Sequence, residues 1–118
     1  LQSGNTIVTD APTDNHGMGA AFSPTDLTCA ALAACMMTIM GINAQNQQIN
    51  IDGTTYEVNK TMSADPRRIG QIDIIFSFPP IQYTEKQKVI LRKAAESCPV
   101  GKSLHPDVKI NLTLKFQD

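Results

Sequence analysis

SPTDLTCAALAACMMTIMG, residues 23–41, is the stretch whose reading decides the fold: a helix that is apolar on nearly every side and carries a thiol, Cys35, near its middle. Ser23 is a good N-cap and Pro24 suits the first helical position. Asp26 puts negative charge on the first turn, where unpaired N–H groups and the helix dipole favour it. From Leu27 to Ile42 the only polar side chains are threonines and the cysteines, and a helix without a polar face has to be covered on most sides. It reads as too short and too rich in small residues to span a bilayer. The expectation is the central core helix of a soluble domain.

The rest of the chain fits around that helix. Its 118 residues, 42% of them hydrophobic, suit one domain, 1–118, with a modest core. A net charge of −1, with Arg67-Arg68 as a basic pair and the charges scattered along the chain, gives no footprint for nucleic acid or an anionic membrane. Three cysteines cannot all pair within the chain, and no signal peptide stands at the start; a reducing, cytoplasmic setting follows as an expectation. The chain begins at Leu1 rather than Met, so the short alternating piece around Ile7 and Val8 reads as an incomplete N-terminal strand.

Residues 10–21, with Pro12, Asp14, Asn15, Gly17 and Gly19, form a loop that delivers the chain to the N-cap; His16 in it is either solvated or part of a cover over a site. After Gly41 the polar run 43–48 ends or frays the helix, and Asp52-Gly53 marks a turn. A strand follows over 54–62, Asp65-Pro66 turns, and Ile72, Ile74, Phe76 and Phe78 alternate with polar residues as in a half-buried strand. Thr84 with Gln87 is a capping box for a second helix whose apolar stripe of Ile90, Leu91 and Ala94 runs to Cys98. Val108 to Phe116 alternates as a last strand with one wet face. The order gives an α+β fold, two main helices on an antiparallel sheet, and the all-apolar first helix calls for a second copy to cover it.

Cys35 shares a helical stripe with Leu27, Ala31, Ala34, Thr38 and Ile42, whereas Cys29 does not. Six residues put the two thiols about 9 Å apart along the axis and roughly 240° apart around it, so no disulfide joins them in a standing helix. Cys29 reads as packing. Cys98, just before Pro99, can cap the next helical turn, where amide groups favour a thiolate. Most free cysteines are small buried hydrophobes, but two at the inward positions of two helices also look like an attacking and a resolving pair. With no C-x-x-C, and Cys98 seven residues from His105, no metal site is expected.

The segments SPTDL-x7-C and SCPVGKSLHPDVKI closely resemble the two cysteine segments of the OsmC/Ohr family of thiol peroxidases, and the similarity covers nearly the whole chain. The resemblance implies an intertwined α+β homodimer with its central helices buried between sheets. It implies reduction of organic hydroperoxides, with Cys35 at the peroxidatic position and Cys98 at the resolving one. It also implies no bound cofactor but an external dithiol, lipoylated or small, as reductant. The chain departs from the pattern at the head of the helix: Thr25, followed by Asp26, stands where well characterised members have glutamate. No arginine precedes Arg67, so the activating arginine would lie in a missing N-terminal piece or its role would fall to Arg67 or Arg68, unless both are merely a solvated turn pair. The alternative to an enzyme is a non-catalytic dimer of this family that senses redox state through its thiols or binds an apolar ligand.

Overall fold

The structure, a computed structural model, describes residues 2–117. After a 3-10 turn at Thr13–Asn15, six elements follow one another among the described residues: α1 (Pro24–Asn46), β1 (Thr55–Ala64), β2 (Arg67–Ser77), α2 (Glu85–Glu96), α3 (Pro99–Ser103) and β3 (Lys109–Lys115). The capping box expected at Thr84 forms, and the N-cap expected at Ser23 proves to be a second one. Ser23 Oγ accepts from the Asp26 amide at 3.1 Å while Asp26 Oδ2 accepts from the Ser23 amide at 3.0 Å, and Thr84 and Gln87 reciprocate in the same way.

α1 runs five residues past Gly41, because the polar residues 43–46 turn outward around the buried Ala44 instead of ending the helix. At 23 residues it is long and apolar enough to cross a bilayer, which corrects the expectation of a helix too short to do so. Here one side of it packs within the chain. Cys29, Leu32, Ala33, Met36, Met40 and Ala44 are buried, at the three- and four-residue spacing of one helical face. That face meets α2, α3 and the sheet.

The sheet has the order β1-β2-β3. β1 and β2 form an antiparallel hairpin in which Tyr56 faces Phe76, Val58 faces Ile74 and Lys60 faces Ile72. β3 lies parallel to β2, with Ile110, Leu112 and Leu114 beside Ile72, Ile74 and Phe76. The antiparallel sheet expected from the sequence is therefore mixed. Its physical cause is the α2–α3 crossover, which carries the chain back so that β3 starts at the same end as β2; only a connection of that length permits parallel pairing. Ile72, Ile74, Phe76 and Phe78 are fully buried on the inner face, and Phe78, Tyr83 and Phe116 close one end as an aromatic cluster with centroids 4.6–5.9 Å apart. Tyr83 Oη donates to the Asn50 carbonyl at 2.6 Å, tying the chain before α2 to the loop after α1.

Residues around Ile7 and Val8 form no strand, and Val8 is 84% exposed. A strand needs a neighbour to accept its backbone groups, and among the described residues no strand lies alongside these. The loop that follows is closed on itself: the Asp10 carboxylate accepts from the amides of Met18 and Ala20, and the Asp10 amide reaches the Phe22 carbonyl at 3.1 Å. Gly17 sits so close to the Ala11 carbonyl that any side chain there would collide with it.

Candidate functional site

Cys35 and Cys98 come together where α1 meets the α2–α3 junction. Relative to Cys35, the buried face of α1 is centred about 120° around the helix and the opposite face carries Ala31, Ala34, Thr38 and Ile42. All four are exposed in the single chain, Ile42 at 51%. The stripe read as inward from the sequence is thus the outward one within this chain. Cys35 stands at its border, half-buried, while Cys29 lies inside at 2% exposure.

Cys98 is 1% exposed and caps α3: its Sγ accepts from the Gly101 amide at 3.3 Å. Pro99 at the first helical position makes this geometry natural, since it has no N–H to satisfy. Burial pushes the Cys98 thiol up. The Gly101 and Val100 amides oppose that rise, and the Cys35 sulfur alongside adds to it through a hydrogen bond and through its charge when ionised. Leu32, one turn before Cys35 on the buried face, comes within 3.6 Å of where a side chain on Gly101 would begin, so α3 lies directly against α1. Both thiols are free.

The head of α1 holds a second constellation. Lys60 Nζ lies 2.7 Å from Asp26 Oδ1 and donates to Thr25 Oγ1 at 2.8 Å and Ser23 Oγ at 3.4 Å. The Lys60 hydrogen bond, then the Ser23 amide, hold the Asp26 carboxyl below the ordinary carboxylate range. Thr25 and Asp26 are therefore paired with a cation. That cation is a lysine the sequence reading did not single out. Its signal was the register of β1, in which Tyr56, Val58, Lys60 and Met62 share one side of the strand, so that a lysine interrupts an apolar run. Nine residues, about 14 Å of helical rise, separate Asp26 from Cys35. Within one chain the nearer thiol is Cys29, which burial pushes up and Lys60 pulls down. Cys29, Lys60, Tyr56 and Phe22 line a cleft of about 590 Å³.

Arg67 and Arg68 occupy the first two positions of β2 in surface ion pairs, Arg67 with Asp14 at 3.3 Å and Arg68 with Asp107 at 3.2 Å. The charges acting on Cys29 and Cys98 are those of Lys60, Asp26 and Cys35, and neither arginine contributes. The solvated pair is the reading this geometry fits: Arg67 pins the 10–22 loop to the hairpin, and Arg68 ties β2 to the turn before β3. His16 is an exposed turn residue with φ 68°, and His105 Nδ1 accepts from the Asp107 amide at 3.0 Å.

A mixed three-stranded sheet backed by a long apolar helix, with Cys35 on that helix and Cys98 capping the turn before the last strand, defines a class. The chain belongs to the OsmC family: the model for OsmC-like proteins matches residues 16–113. A solved structure from Psychrobacter arcticus 273-4, described as an osmotic stress induced and detoxification response protein, is similar at 49% identity and TM-score 0.91, over 97% of this chain and 82% of that one. The organic hydroperoxide resistance protein OhrB of Bacillus subtilis is similar at 25% identity and TM-score 0.63, over 81% of this chain and 72% of that one. An organic hydroperoxide resistance protein OsmC from Legionella pneumophila shares the fold at 20% identity and TM-score 0.74, over 90% and 78% of the two chains. No curated protein matches the chain.

Proposed function

We propose that this protein is a cysteine-dependent peroxidase that reduces organic hydroperoxides. The observation that carries the proposal is the placement of half-buried Cys35 beside buried Cys98 in a chain of this family. The Cys35 thiolate attacks the O–O bond and takes one oxygen as a sulfenic acid, releasing the alcohol; the Cys98 thiol then condenses with it, giving a disulfide and water. An external dithiol, small or lipoylated, returns both cysteines to thiols by exchange, and the chain itself supplies no cofactor. The apolar character of α1 around Cys35, with Ile39 one turn further on, favours a fatty or aryl hydroperoxide over hydrogen peroxide. The setting is a reducing, cytoplasmic one, and the active form is a homodimer in which a second copy covers the exposed face of α1. Titration with cumene hydroperoxide tests the proposal: two of the three thiols disappear in the wild type and none in Cys35→Ser, whereas unchanged thiols in the wild type overturn it. A faster rate with hydrogen peroxide than with cumene hydroperoxide overturns the substrate preference.

The alternative is an apolar-ligand binder, which the cleft between Phe22, Tyr56 and Lys60 favours, because it is walled by aromatic and aliphatic groups away from the thiol pair. A member of that kind would keep all three thiols in the same titration.

A further inference from the structure

A second cavity, of about 340 Å³, opens onto Cys98 from the side of α2 and β3. Met36, Ala95, Ile110 and Leu112 give it apolar walls; Arg92, Lys102 and Glu96 supply its charges, a net of one positive. Cys98 lines it and Cys35 does not. We propose that this cavity is the entrance for the reductant: a slender thiol bearing an anionic group enters between Arg92 and Lys102 and attacks the sulfur of Cys98, not that of Cys35. The inference rests on the Cys35–Cys98 disulfide of the proposed cycle and assigns which of its two sulfurs is opened, and from which side.

Thiolate attack on a disulfide runs nearly in line with the S–S bond, so the attacked sulfur must be reachable from the side away from its partner. The cavity borders Cys98 and not Cys35, so the approach proposed is to Cys98 from this side. The entering thiolate forms a bond to Cys98 Sγ as the S–S bond breaks, and the bonding pair leaves on Cys35 as a thiolate, the form in which it attacks the next hydroperoxide. A second thiol of the reductant then displaces Cys98, closing the reductant's own disulfide and returning the proton to Cys98. The opposite direction is disfavoured by the leaving group. Burial keeps the Cys98 thiol up, and a thiol of raised pKa departs slowly. The peroxide and the reductant thereby use different approaches, one along the Cys35 border of α1 and one through the α2–β3 cavity.

The experiment needs no peroxide. The protein is oxidised with diamide, purified, mixed briefly with 3-mercaptopropionate, quenched in acid and alkylated, and the adduct is located by fragment mass spectra. The account expects the mixed disulfide on Cys98 and alkylation on Cys35. An adduct on Cys35 with Cys98 alkylated overturns it, as does failure of diamide to close the Cys35–Cys98 bond. Charge is tested separately with Lys102→Glu: the rate ratio of 3-mercaptopropionate to 2-mercaptoethanol should fall about tenfold from its wild-type value, the low end of electrostatic steering. An unchanged ratio removes the anionic requirement. A protein inert to hydroperoxides whose diamide disulfide is still opened at Cys98 would sink the peroxidase reading and leave this one standing.

Discussion

Ser23 does two jobs with one hydroxyl: it caps α1 through the Asp26 amide and receives Lys60 from β1. Because it is buried, Ser23→Ala leaves the Asp26 amide unpaired, and urea unfolding should show a loss of roughly 1–2 kcal/mol. Asp26 carries the charge in this cluster. Its carboxyl titrates below its ordinary value near 3.8, so the folded state favours the ionised form. The stabilisation is fully present above that value and is lost as pH falls from it through the lower native one. Asp26→Asn should therefore lower stability by roughly 0.3–1 kcal/mol at pH 7, and the gap to the wild type should narrow as the pH falls below 3.8 and close in strong acid. A gap that persists there in thermal melts would mean that packing and not charge is lost. At this scale the sequence was legible where a residue's neighbours in the chain decide its role. Ser23, Thr84 and Cys98 were all read as caps, and all three are. Lys60 was not legible, because its partners lie 34 to 37 residues away and only the strand register brings it to them.

α1 has two faces that its composition does not distinguish. Each sets larger apolar residues among alanines, Leu32, Met36 and Met40 on one and Leu27 and Ile42 on the other, so the residue pattern reads as apolar all round and its periodicity does not tell the face toward this chain's own core from the face away from it. Packing against α2 and the sheet settles it in favour of Cys29, Leu32, Ala33, Met36, Met40 and Ala44. Leu32→Ala removes a side chain with no exposed surface at the contact with α3 and should cost about 2–5 kcal/mol in urea unfolding. Ala34→Glu, on the exposed stripe, should leave the fold intact by circular dichroism yet give a monomer in sedimentation, since it sets a charge on the face proposed to meet a second copy. A dimer that persists would move the subunit contact off this face. The direction of β3 escaped the sequence for a different reason. Alternation tells which side of a strand is wet, and it is the same in parallel and antiparallel pairing; the direction is decided by the α2–α3 crossover.

At the scale of the whole molecule, the fold brings together two cysteines 63 positions apart in sequence. Neither segment places its thiol alone. α1 holds Cys35 at the border of its buried face, and the hairpin and α2 return the chain so that Cys98 caps α3 against α1. Cys29, which is closer to Cys35 in sequence, is kept from it by the helix itself. The central claim is this pairing. It is tested most directly by adding one equivalent of cumene hydroperoxide to the reduced protein and mapping its peptides without reductant. The account predicts a Cys35–Cys98 disulfide with Cys29 left as the single free thiol; three intact thiols, or a disulfide that includes Cys29, would contradict it.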